Sequence, residues 1–171
     1  MKAMKSSIVV SFVLVLIGCA ATPETNTVQT DSASLSRYKN AYIVIEAEEE
    51  VKNRHGYYET AHALRNELHR KLRDERKFQK IGLQEIDEDS VEINVTIDDL
   101  HYVSGAGRGL FGIAAGRAVL KVTMKVMDNE TKEVLLEVQT GDESSHAQGV
   151  FSPVTSKQVR AIANELVAAI N

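Results

Sequence analysis

Cysteine is nearly absent: one residue, Cys19, in a chain of 171. An internal disulfide framework is excluded, although an oxidising compartment would permit one. A concentrated basic run is missing too. The formal net charge is −4, from 20 Lys and Arg against 24 Asp and Glu. Nucleic acid is therefore disfavoured as a partner, because phosphate neutralisation supplies most of such affinity. No apolar run reaches the roughly 20 residues that span a bilayer. No internal repeat is visible, so the length suits one domain plus a leader and a tether.

What is present begins at the amino terminus. Lys2 and Lys5 precede Ile8–Ile17, an apolar run with a single Ser, and Leu16-Ile-Gly-Cys19 follows. A positive start, a short apolar run and a small residue before a cut form the layout of a cleaved signal. Leu16, Gly18 and Cys19 match the Leu-x-small-Cys lipobox, and here the chain resembles a bacterial lipoprotein precursor. The resemblance implies cleavage before Cys19 and acyl chains, palmitate among them, on its sulfur and amino group. Several chains on one residue anchor stably where a single chain binds only marginally. In such lipoproteins Asp after the Cys favours inner-membrane retention. Ala20 and Ala21 stand there instead, which implies the outer membrane with the domain facing the periplasm. Loss of Lys2 and Lys5 takes the formal charge from −4 to −6. The expected division is 1–18 signal peptide, 19–36 lipidated Cys and flexible tether, and 37–171 periplasmic domain. Residues 20–36 are rich in Thr, Ser and Asn, too polar to offset the entropy of ordering. A tether of about 17 such residues reaches on the order of 20–25 Å.

Beyond Tyr38 the pattern changes. Ala41–Ala47 is apolar on both faces and suits an interior strand. Tyr57, Ala61, Leu64, Leu68 and Leu72 line one face of a helix. Phe78–Leu83 reads as a short strand. Val91, Ile93, Val95 and Ile97 alternate with polar residues, as do Leu120, Val122, Met124 and Val126, so two long strands form an antiparallel pair. The alternation slips at Asp98-Asp99, where a bulge is expected. Asp128–Lys132 is turn chemistry, and Val134, Leu136 and Val138 begin another strand. Gly141–Gly149 is polar and irregular. Thr155–Gln158 has the form of a capping box, ahead of a helix lined by Val159, Ile162, Ala163, Leu166, Val167 and Ile170. The expected architecture is α+β: a mainly antiparallel five-stranded sheet, in the order strand-helix-four strands-helix, with two helices packed on one face.

The lipobox, the Tyr42-Ile43-Val44 strand, the glycine loop between long strands and Val126-Met127-Asp128 together resemble a group of small Gram-negative outer-membrane lipoproteins classed as a domain of unknown function. The element order is similar to that of the curli-secretion lipoprotein and the TolB amino-terminal domain. What this implies is a fold and an envelope location; the group offers no catalytic residues to carry over.

Chemistry-bearing patterns are few. Gly107–Gly112 matches GxGxxG, but strand alternation follows it where a nucleotide site needs a helix. His55, His62 and His69 recur every seven residues, about 10.5 Å along a helix, too far to share an ion, so solvated surface histidines are expected. Asp99 and His101 share a strand face, with Asp98 and Ser104 on the other, and no oxyanion donor accompanies them. Neither catalysis, nor a cofactor, nor a metal is expected.

The remaining feature is the loop Gly105–Gly116. Its twelve residues exceed the usual hairpin connection of about 2–5. Gly105, Gly107, Gly109, Gly112 and Gly116 are interspersed with Arg108, Leu110, Phe111 and Ile113. Either the three apolar residues fold back over the sheet, or they contact lipid or another protein. The expected function is non-enzymatic: an outer-membrane lipoprotein whose domain binds or assembles with envelope components or with itself. A small-ligand or lipid carrier, or a transport accessory subunit in the envelope, is the alternative, and a hydrolase a more distant one.

Overall fold

The computed structural model describes residues 24–30, 35–86, 89–101, 118–143 and 156–170. In chain order they form strands β1 (Glu24–Thr30) and β2 (Asn40–Glu46), the single helical turn α1 (Glu49–Lys52) and helix α2 (Tyr57–Asp74). Strands β3 (Lys80–Gly82), β4 (Ser90–His101), β5 (Val119–Asp128) and β6 (Val134–Glu143) and helix α3 (Ser156–Ala169) follow.

All six strands join one sheet in the order β1-β6-β5-β4-β2-β3. The expectation of five strands, mainly antiparallel, is corrected in both count and direction. β1 with β6, β6 with β5 and β5 with β4 are antiparallel, whereas β2 runs parallel to both β4 and β3. The parallel part follows from α2, which carries the chain back to the end where β2 began, as a crossover must. β3 is only three residues long, so the chain reaches the start of β4 without a second helix. Gly82 closes that link, because a Cβ there would sit 3.0 Å from the Gln84 carbonyl oxygen and 3.1 Å from Ile86 Cδ1.

β1 is the second correction. Residues 24–30 were expected to belong to a flexible tether, yet they pair with β6 from Glu24↔Gly141 to Thr30↔Leu136. Thr25 Oγ1 lies 3.1 Å from Thr140 Oγ1 across that pair. Leu35 and Tyr38, beyond β1, are buried in the core. β6 is also longer than expected, continuing as strand through Gly141–Glu143.

The core lies between one face of the sheet and α2 with α3. Val91, Ile93, Val95, Ile97, Leu120, Val122, Met124 and Val126 have no exposed surface. Leu64, Leu68 and Leu72 of α2 and Ile162, Leu166 and Val167 of α3 are equally closed to solvent and share one cluster with them. Each such side chain is worth about 1.5–3 kcal/mol of burial. Gly56 starts α2 at φ 84°, a left-handed conformation that favours glycine. The two helices are tied at the surface by Glu67, which accepts from Arg70 Nη2 at 2.6 Å and lies 3.5 Å from Arg160 Nε. Arg70 holds the Glu67 carboxyl below its usual range. The opposite sheet face carries the half-buried Asn94, Thr96 and Thr123 and the exposed Lys125 and Gln139.

Candidate interaction surface

The antiparallel registers gather several chain ends at one edge of the domain, here termed the loop end. His101 pairs with Val119, Val119 with Glu143, and Gly141 with Glu24. The start of β1, the end of β4, the start of β5 and the end of β6 therefore lie side by side. β2, parallel to β4, also ends in this direction, and α1 and α2 begin there. α3 is brought in by Gln158, a buried residue whose Nε2 donates to the Ala118 carbonyl at 3.5 Å. Cys19, Leu16, Gly18 and the glycine loop Gly105–Gly116 lie outside the described residues, as do Ser104 and Thr155. The points where the chain leaves for that loop and returns from it, His101 and Ala118, belong to the loop end.

Its geometry is fixed by the bulge expected from the broken alternation. The β4–β5 register shifts between Ile97 and Asp99, leaving Asp98 as the extra residue. Ile97 and Leu100 both face the core as a result, at 0% and 1% exposure. The two aspartates are thereby separated. Asp98 accepts from Thr123 Oγ1 at 2.7 Å. Desolvation pushes its carboxyl above the usual range, an effect that Thr123, Gln139 and Lys125 only partly offset. Asp99 instead accepts from Arg54 Nη1, which also donates to the Leu100 carbonyl at 3.2 Å. Arg54 Nη2 donates to Glu50 at 2.7 Å. One guanidinium thus clasps α1 to the bulge, and Asp99, which shares a strand face with His101, is engaged by an arginine. His101 itself is exposed.

A second polar cluster lies at the opposite, turn end, and sequence reasoning missed it. The buried Tyr42 hydroxyl is 2.9 Å from Glu92 Oε2 and 2.7 Å from Asn129 Oδ1, with one proton to donate between two acceptors. Lys132 Nζ donates to Glu92 at 3.3 Å and to Asn129 Oδ1 at 3.0 Å. Burial, then Glu92, pushes the Tyr42 phenol up. Burial alone would raise Glu92, but hydrogen bonds from Tyr42, Asn94 and Lys132 outweigh it and hold the carboxyl down. Beside it Asp128 accepts from the backbone N–H groups of Glu130 and Thr131, both at 2.8 Å, and from the Tyr38 hydroxyl. These contacts are those of a turn lock: every charged group is matched within the protein. No period or motif announces them, because Tyr42 meets Glu92 only through the parallel β2–β4 register.

His55 and His62 are exposed and His69 is half-buried. Among the described residues no group of three His, Cys, Asp or Glu side chains is placed to hold a metal ion. Among them, too, no helix is long and apolar enough to cross a membrane.

No protein-family model and no curated protein matches the sequence. Solved structures do match in shape. The PelC dodecamer from Paraburkholderia phytofirmans superposes with a TM-score of 0.57 at 11% identity, over 86% of this chain and 96% of that one. A single-residue variant of the same dodecamer gives 0.54 at 12% identity with the same coverage. A DUF330 protein from Xanthomonas campestris reaches 0.47 at 12%, over 76% and 81% of the two chains, too low to weigh. At such identities the likeness is one of fold, and the domain is similar in fold to PelC over nearly the whole PelC chain.

Proposed function

We propose that this chain is a lipid-anchored outer-membrane protein without enzymatic activity, whose periplasmic domain works by assembling with copies of itself or with other envelope components. The observation that carries the reading is Leu16-Ile-Gly-Cys19 at the end of a short apolar run, ahead of a domain with the fold of a protein crystallised as a dodecamer. Cys19 supplies the anchor. The glycine loop, with Gly105, Gly107, Arg108, Gly109, Leu110, Phe111, Gly112, Ile113 and Gly116, supplies the contact surface. A loop that only connected two regular strands would be served by polar turn residues, with less risk of aggregation. The polar clusters described above are satisfied internally, which suits a scaffold more than a reaction centre.

Metabolic labelling with a fatty-acid analogue, followed by crosslinking of intact envelopes, tests the reading. The wild-type chain is expected to take up label and to yield crosslinked species above the monomer. Cys19→Ala is expected to take up none and to leave the membrane fraction. Undiminished labelling of Cys19→Ala overturns the anchor, and a monomer alone at native abundance overturns assembly with itself or with another protein.

A further inference from the structure

We infer that the loop end of the domain is held against the lipid surface, in one orientation, by the shortness of the linker before β1. The inference rests on the lipid anchor proposed above and goes beyond it, because an anchor alone leaves the facing of the domain open. A polar tether of about 17 residues would let the domain tumble over 20–25 Å. β1 removes most of that freedom. It begins at Glu24, five residues after Cys19, and five residues span at most about 17 Å when fully extended.

Where Glu24 sits decides which end is held. It pairs with Gly141, beside the Val119↔Glu143 and His101↔Val119 pairs. The loop end therefore stays within about 17 Å of the lipid. The turn end, with Glu133 beside the Asp128 lock, is eight residues from the Glu24↔Gly141 pair along β6, roughly 27 Å farther. The described residues that flank 102–117 and 144–155, namely His101, Ala118, Glu143 and Ser156, all lie on the lipid side. Charge does not supply the approach. The described surface at this end exposes Glu46, Glu48, Glu49 and Glu50 together with Lys121 and Lys157, beside the half-buried Lys52 and Arg54, a mixed surface and no basic patch for anionic headgroups. The linker alone imposes the facing.

The test uses lipidated protein purified from envelopes and placed in phosphatidylethanolamine–phosphatidylglycerol vesicles carrying a headgroup nitroxide. A fluorophore is attached at the exposed positions His101→Cys and Lys157→Cys at the loop end, or Glu133→Cys at the turn end. Strong quenching is expected at the first two and little at the third, with the same ratio at low and high salt. Inserting twelve Gly and Ser residues between Pro23 and Glu24 is expected to level the three. Equal quenching in the uninserted protein, or stronger quenching at Glu133→Cys, overturns the orientation even though the protein floats with vesicles. Loss of the ratio at high salt overturns the linker as its cause. An N-terminal peptide that carries no lipid by mass spectrometry overturns the anchor itself, and the orientation with it.

Discussion

Arg54 and Asp99 are 45 residues apart, and their ion pair joins the turn after α1 to the residue just beyond the β4 bulge. Because the same guanidinium also reaches the Leu100 carbonyl, it acts on the backbone of the bulge as well as on a side chain. Both partners are partly open to solvent, at 37% and 43% side-chain exposure, so its worth is modest. Arg54→Ala is expected to lower the urea midpoint only slightly. Urea melts of Arg54→Ala, Asp99→Asn and the double variant check it. Strictly additive losses would mean that the two side chains are not coupled.

Acid should release the turn lock. The Tyr38 hydroxyl and the Thr131 and Glu130 amides hold the Asp128 carboxyl at about 2, against an ordinary 3.8, with burial opposing them. A carboxyl depressed in the folded state stabilises it fully above the unfolded value and loses that contribution as pH falls from about 4 towards 2. Asp128→Asn is therefore expected to be less stable than wild type at pH 6 and nearly equal to it at pH 2. Urea midpoints across that range decide the matter, and a constant gap at every pH would count against it.

Leu68 lies on α2 with no exposed surface. Leu68→Ala is expected to cost about 2–5 kcal/mol, as cavity-forming changes in closed cores do. Thermal melts measure it, and a loss below about 1 kcal/mol would mean that the helix face is loosely packed.

Replacing both Leu110 and Phe111 with Ser is expected to leave the melting temperature nearly unchanged while weakening crosslinking to partners. A large fall in melting temperature would instead assign these side chains to the core.

Deleting residues 24–30 is expected to leave a folded domain with β6 as a bare edge, prone to edge-to-edge association. Light scattering of the truncated chain, with circular dichroism to verify folding, tests this. A monomeric truncation with unchanged stability would mean that β1 is dispensable.

The core was readable because periodicity reports burial. Val91 to Ile97 and Leu120 to Val126 alternate as a one-sided sheet must, and the slip at Asp98-Asp99 disclosed the bulge. The α2 stripe from Tyr57 to Leu72 was equally plain. β1 was missed for the opposite reason. Glu24-Thr-Asn-Thr-Val-Gln-Thr30 has no apolar face to betray it, since its ladder to β6 is made by backbone groups common to every residue. The parallel pairing of β2 leaves no mark on periodicity and depends on α2, an 18-residue helix that returns the chain for a crossover. The Tyr42–Glu92–Lys132 cluster required that register before it could be seen. Arg54, which engages Asp99 from 45 residues away, is announced by no period or spacing.

The pairing of the first strand with the last also sets an order of events in time. Thr25 meets Thr140 across 115 residues, and such distant closures come late, after the loop entropy between them has been offset by nearer contacts. During synthesis β1 has no partner until β6 has emerged, so a strand from the front of the domain takes its place only once the far end of the sheet exists.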